Sequence, residues 1–169
     1  FAAAIAEYPE HKFFAFALTT LSEVQYIECS LNSDRNLEKI LSQAGGTDDQ
    51  AYYKWFSNDW GEFEYFGQET RDFFAPVQAL LARIESETTN DPGFEARRRY
   101  VFDMMISALK TLDEMGCFGE GEVRGSRIAF ADVYDDEASE ELRALSANMV
   151  NTGKASPALI HEFHRAGQE

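Results

Sequence analysis

The sequence predicts an α+β fold, a small, mainly antiparallel sheet packed by helices in a single domain over residues 1–169. Two strand-like runs, Lys12–Thr20 and Glu23–Ser30, open the chain, helical patterns follow, and a third strand-like run at Ser126–Tyr134 returns before two final helices. That order departs from the strict alternation of a doubly wound parallel fold. With 169 residues, 44% of them hydrophobic and 14% aromatic, the chain carries enough apolar surface to build one core.

Lys12–Thr20, KFFAFALTT, places large side chains on both alternating sets, Phe14, Phe16 and Leu18 against Phe13, Ala15 and Ala17, as a strand covered on both faces does. Glu23–Ser30 mixes polar and apolar positions and reads as its antiparallel hairpin partner. Asp34 is placed to cap a helix through Leu37, Ile40, Leu41 and Ala44 that Gly45-Gly46 stops. The segment Tyr52–Phe66 is crowded with aromatic residues and has no clean period, with a helical turn available from Ser57. Thr70–Ser86 has helical spacing, and Pro76 predicts a kink or a start near Ala75. Asp91-Pro92 opens the longest helix, whose stripe of Phe94, Val101, Met105, Ala108 and Leu112 faces the sheet until Gly116 ends it. Ser126–Tyr134 alternates Ile128, Phe130 and Asp132 against Ala129, Ala131 and Val133. Asp135-Asp136 caps a helix through Leu142, Leu145 and Met149, and Ser156-Pro157 opens a last one with Leu159, Ile160 and Phe163 inward.

The net charge of −15 is the largest compositional deviation. A field of that sign repels phosphate backbones and anionic lipid head groups, so nucleic acid and membranes are not expected partners. No apolar run reaches the length of a membrane span, and FAAAIAEYPE lacks the basic region of a signal peptide, which predicts a cytoplasmic protein. Acidity concentrates between Asp113 and Glu141, where only Arg124 and Arg127 oppose it. Such a face either keeps the protein soluble or steers a basic protein partner. Cys29 and Cys117 lie far apart in apolar contexts and read as buried thiols rather than a redox or metal pair.

Motifs for chemistry are weak. GCFGEGEVRG, residues 116–125, follows a helix and precedes a strand, the reverse of a phosphate-binding loop, and carries Glu120 and Glu122 where phosphate would sit; it reads as a turn. His161 and His164 lack the four-residue spacing and third ligand of a zinc site, and His11 has no evident nucleophile beside it. Asp48-Asp49 and Asp135-Asp136 suit solvated loops and caps, and Arg97, Arg98 and Arg99 suit counter-charges to the acidic surface. No catalytic residue, metal site or cofactor is predicted. The aromatic segment either lays a loop over the sheet or presents anchors ringed by carboxylates, since Tyr and Trp dominate interface hot spots. The partner-binding residues expected under the second reading are Tyr53, Trp55, Asp59, Trp60 and Glu62, joined by Asp135, Asp136 and Glu137.

Four pieces, KFFAFALTT, YYKWFSNDW with Tyr53-Lys54-Trp55 and Trp60, ALKTLDEMGCFG from Ala108 to Gly119, and Ser146-Ala147-Asn148 with Asn151, stand in order along most of the chain. In them the chain resembles a bacterial family, domain of unknown function 4303. The resemblance implies no established activity and carries over no catalytic residue. By analogy, families of this look accompany contact-dependent toxin systems as immunity proteins. The expected function is therefore an acidic protein-binding module, an immunity-type protein that neutralises a basic toxin. The alternative is a small-ligand-binding protein or enzyme with an aromatic-lined pocket in which Trp55 or Trp60 stacks on the ligand.

Overall fold

The computed structural model describes residues 2–24, 26–45, 50–60, 75–83, 92–134 and 138–166. Its centre is the strand β1 (Phe13–Leu21), flanked by β2 (Glu28–Ser33) and β3 (Ile128–Tyr134) in the order β2-β1-β3. The fold is α+β, and Lys12–Thr20 lies in the sheet interior as expected. The sheet is mixed: β1 pairs antiparallel with β2 and parallel with β3. A long connection containing a helix brings the chain back to start β3 beside the start of β1, and such a crossover permits parallel pairing where a tight hairpin does not.

Helices fill the rest of the described chain: α1 (Ala2–Glu7), α2 (Asp34–Gln43), α3 (Gln50–Trp55), a 3-10 turn at Ser57–Asp59, α4 (residues 75–83), α5 (Pro92–Glu114), α6 (Gly121–Gly125), α7 (Ser139–Asn151) and α8 (Pro157–Ala166). The Asp91 cap, the start of the Thr70–Ser86 pattern, Gly46, Asp48-Asp49 and Asp135-Asp136 lie outside the described residues.

The second strand begins later than the apolar pattern suggested. Val24 donates its N–H to Leu21 O at 2.9 Å and adopts φ +52, a left-handed conformation unusual for a β-branched residue. Val24 and Ile27 bury their side chains from outside the strand, so apolar character here does not mark strand residues. A bulge between Phe13 and Ala15 also breaks strict alternation in β1. Phe13 consequently joins Phe16 and Leu18 in one core layer, while Phe14 packs with Ala15 and Ala17 in the other.

The first layer sets Phe16, Leu18, Leu31, Ala129, Ala131 and Val133 against Val101, Met105, Ile106 and Leu109 of α5; of the expected stripe Val101 and Met105 lie in this layer, whereas Ala108 is exposed. Gly116, at φ +77, terminates α5: its N–H reaches Asp113 O and that of Cys117 reaches Leu112 O, each at 2.9 Å. The second layer sets Ala15, Ala17, Ile128 and Phe130 against Trp55, Trp60, Ala147 and Phe163. Helix α2 is capped by Ser33, whose Oγ accepts from Asn36 N at 3.2 Å; Asp34 instead accepts from Lys12 N at 2.9 Å and Arg35 N at 2.8 Å.

Helix α7 lies along the outer edge of β3. Ser146 Oγ accepts from Ala131 N at 2.9 Å and stands 3.0 Å from Ala131 O, and the Asn151 amide bonds both backbone groups of Ala129. Polar side chains thus take the place of a fourth strand and leave this stretch of edge without free backbone groups.

Candidate functional site

Along the second face of the sheet the side chains change from apolar to polar toward the carboxyl ends of β1 and β3. Beyond Ala17 and Phe130 come Thr19 and Asp132, paired in register, and then Tyr134. Ser57, from the 3-10 turn, reaches down onto them: its Oγ donates to Asp132 Oδ2 at 2.7 Å and lies 3.0 Å from the Tyr134 hydroxyl. Asp132 Oδ1 accepts from Val133 N at 3.1 Å. The Thr19 hydroxyl approaches the Tyr134 phenol without completing a hydrogen bond. Arg143, buried on α7, lays its guanidinium 3.9 Å over the Phe56 ring and supplies the nearby positive charge.

Burial pushes the Asp132 carboxyl above the usual carboxylate range, against the opposing pull of Arg143 and the Ser57 hydrogen bond. Burial, and then the charge of Asp132, also raise the Tyr134 phenol well above its ordinary value. Ser57 is itself 0% exposed, and its hydroxyl is bonded within the fold to Asp132 and Tyr134. What the cluster does is tie the aromatic segment to β3.

A second buried network sits at the opposite end of the parallel pair. Arg124, on α6, grips Asp113 with Nε at 2.7 Å and Nη2 at 3.0 Å, donates through Nη1 to Arg127 O at 2.8 Å and reaches Asn151 Oδ1 at 3.0 Å. Lys154 adds a contact to Asp113 Oδ2 at 2.8 Å. Burial raises the Asp113 carboxyl, but the hydrogen bonds from Arg124 and Lys154 outweigh it and hold the group below its usual range. The segment read as a glycine-rich turn therefore contains a short helix whose buried Arg124 joins α5, α7 and the residue that precedes β3. Asp113 and Asp132, counted by sequence as part of an acidic face, are interior residues, 9% and 4% exposed.

Of the expected partner-binding residues, the four that are described divide between the core and its margin. Trp55 and Trp60, 1% and 0% exposed, are core side chains: Trp55 lies edge-on to Phe14 and Phe163, and Trp60 edge-on to Phe130. Their rings have apolar neighbours in the sheet to cover, which is why an aromatic-rich segment folds inward here. Tyr53 and Asp59 are half-buried, and Glu62, Asp135, Asp136 and Glu137 fall outside the described residues. Lys54 bridges α3 to α8 through Glu162 at 2.6 Å and stands 4.9 Å over the Trp55 ring. Arg98 and Arg99 meet Glu95 and Asp103 at 3.7 and 3.9 Å, the counter-charge role expected of them.

The large apolar side chains most exposed among the described residues stand elsewhere: Met115 at 72% and Val123 at 51%, on either side of the α5–α6 turn, Tyr100 on α5, and Leu145 and Met149 on α7. Between α5 and α7 a groove of about 520 Å³ is floored by Phe102, Val133, Leu142 and Leu145 and edged by the two arginine–carboxylate pairs. Neither Met115 nor Val123 was singled out in the sequence: Met115 reads as the last residue of the longest helix, and Val123 falls inside the segment read as a turn.

A family model for a domain of unknown function, DUF4303, matches residues 1–152. The chain belongs to the DUF4303 family. No curated protein and no solved structure matches it. In this DUF4303 chain the segments that carried the resemblance hold the structural networks just described: Asp113 lies in ALKTLDEMGCFG, and Ser146 and Asn151 seal β3. Among the described residues no helix is long and apolar enough to cross a membrane, and no cluster of three or more His, Cys, Asp or Glu side chains is arranged to hold a metal ion.

Proposed function

We propose that this DUF4303 member is a cytoplasmic binding module for a basic protein, of the immunity type that neutralises a cationic toxin by covering it. The observation that carries the reading is the net charge of −15, which steers a cationic protein toward the molecule and disfavours nucleic acid and anionic membranes. The test is the salt dependence of association with a basic protein recovered by co-purification from the source cell. The on-rate falls steeply as screening shortens the reach of charge to about 10 Å near 0.1 M salt, while the off-rate changes little. Reversing the charges of Asp135, Asp136 and Glu137 slows association in the same way. Association rates indifferent to salt overturn the reading.

A second reading, a small-ligand protein, draws on the groove between α5 and α7, whose volume and apolar floor fall in the range of ligand sites. Its test is a thermal-shift screen of small amphipathic ligands, in which saturable stabilisation lost in Leu145→Glu supports it.

A further inference from the structure

We infer that the corner between α5 and α6 is the docking surface for the basic partner, with Met115 and Val123 as apolar anchors inside a ring of carboxylates. The inference rests on the binding-module reading proposed above and gives it a place on the molecule.

Exposure on this corner is unusual in kind. Met115 and Val123 leave most or half of their surface in water, and the exposed residues interleaved with them are Glu114, Glu120 and Glu122. The apolar side chains offer contact area that a partner can desolvate, and the carboxylates favour a partner whose pocket is lined by lysine or arginine. Three cations stand at this end of the molecule: Arg124 and Lys154 share the Asp113 carboxylate, and Arg127, beside Gly119, donates to the backbone at Phe13 O, 3.2 Å, and Phe118 O, 3.1 Å, so that Asp113, Glu114, Glu120 and Glu122 outnumber them by a single charge.

The corner is also held in shape, which lowers the entropy lost on docking. Gly116 closes α5 with two backbone hydrogen bonds, Gly119 N reaches Gly116 O at 2.9 Å, and Phe118 is driven fully into the core beneath. A side chain at Gly119 would come within 2.7 Å of Val123 Cγ1, so Val123 is folded down over the turn. Glu120 Oε1 lies 3.8 Å from where a Gly116 Cβ would stand, which puts that carboxylate over the end of α5. Beneath them the bidentate Arg124–Asp113 pair fastens α6 to α5. The α5–α7 groove has a larger apolar floor, but its two arginines offset its carboxylates, leaving no net charge to select a cationic partner.

The four methionines report on the question directly, because Met115 lies on the corner, Met149 is exposed on α7, Met105 is buried and Met104 packs partly buried against the core. The experiment labels the methionine methyl groups for NMR and titrates a synthetic amphipathic peptide of lysine and leucine, with an equally charged lysine–serine peptide for comparison. The expected result is a saturable shift of the Met115 methyl with Met149 and Met105 unmoved, and tighter binding by the leucine-containing peptide. The Met115→Ser, Val123→Ser double variant, checked for an unchanged melting curve, then binds that peptide roughly tenfold more weakly. A saturable shift at Met149 with Met115 silent overturns the corner while leaving the binding-module reading standing. Equal binding of both peptides, or full affinity in the double variant, overturns the anchoring role of Met115 and Val123. Absence of any shift with either peptide at low salt overturns the binding-module reading itself, and the corner with it.

Discussion

The Asn151 side chain pairs with Ala129 as a neighbouring strand would, accepting from its N–H at 2.9 Å and donating to its carbonyl at 2.7 Å. One amide thereby satisfies two buried backbone groups, and its oxygen also accepts from Arg124. Asn151→Leu keeps the approximate bulk and removes these three bonds together with the donation to Ala147 O at 2.6 Å. The expected cost is about 2–4 kcal/mol, since each buried group left without a partner costs about 1–3 kcal/mol. A urea melt measures it. Asn151→Asp restores the acceptor role but not the donor, so it recovers only part of the loss; a variant as stable as wild type would show that the edge of β3 does not need sealing.

Asp113 and Asp132 are both buried, yet their effects on pH dependence have opposite sign. The Asp113 pKa is lowered in the folded state, so its contribution is present above the unfolded value near 4 and is lost as pH falls through the folded value. Asp113→Asn is therefore expected to destabilise at neutral pH and to converge with wild type in acid. Chemical denaturation across pH 2–7 reads the difference directly.

The Asp132 pKa is raised, so the folded state holds its proton more tightly than the unfolded chain does. Stability from this group is present below the unfolded value and declines as pH climbs through the folded one. Asp132→Asn keeps a polar group beside Ser57 and cannot ionise, so its stability relative to wild type rises with pH over that window. A difference that stays flat with pH, or falls, contradicts the assignment.

Trp60→Ala tests the interior placement of the aromatic segment. Loss of a fully buried indole packed edge-on to Phe130 is expected to cost about 3–5 kcal/mol, and Phe16→Ala in the other layer a similar amount. With only two tryptophans in the chain, native fluorescence should be blue-shifted and move to the red on unfolding. A cost below about 0.5 kcal/mol for Trp60→Ala would place the ring at the surface.

Local punctuation made much of this fold legible. Pro92 and Gly116 bracket α5 and Ser156-Pro157 opens α8, because a missing N–H, a left-handed φ or a capping hydroxyl acts within a few residues of itself. Asp132 shares its alternating set with Ile128 and Phe130, a sign of its inward position that its place in the acidic run overrode. The parallel pairing of β3 was not readable, because strand direction follows from a connection running through most of the chain. Nor was the site legible. A run of acidic letters does not reveal that Asp113 meets Arg124 in the interior while Glu114 and Glu122 stay in water, and the conspicuous tryptophans drew attention from Met115 and Val123. Burial depends on which elements come together, and single-residue chemistry carries little of that information.

The parallel pairing has a consequence for the order in which the molecule assembles. As the chain is synthesised, β1 and β2 are available to each other almost at once, but the partner that completes the other side of β1 begins only at Ile128. Closing so long a loop is slow relative to forming the hairpin or the helices. Until then one side of the most hydrophobic strand is an open template, and β3 in turn remains open until Ser146 and Asn151 have followed it. A ribosome stalled between β3 and α7 would thus hold a nascent sheet with a bare edge, the species most prone to pair with a neighbour and the one a chaperone would need to shield.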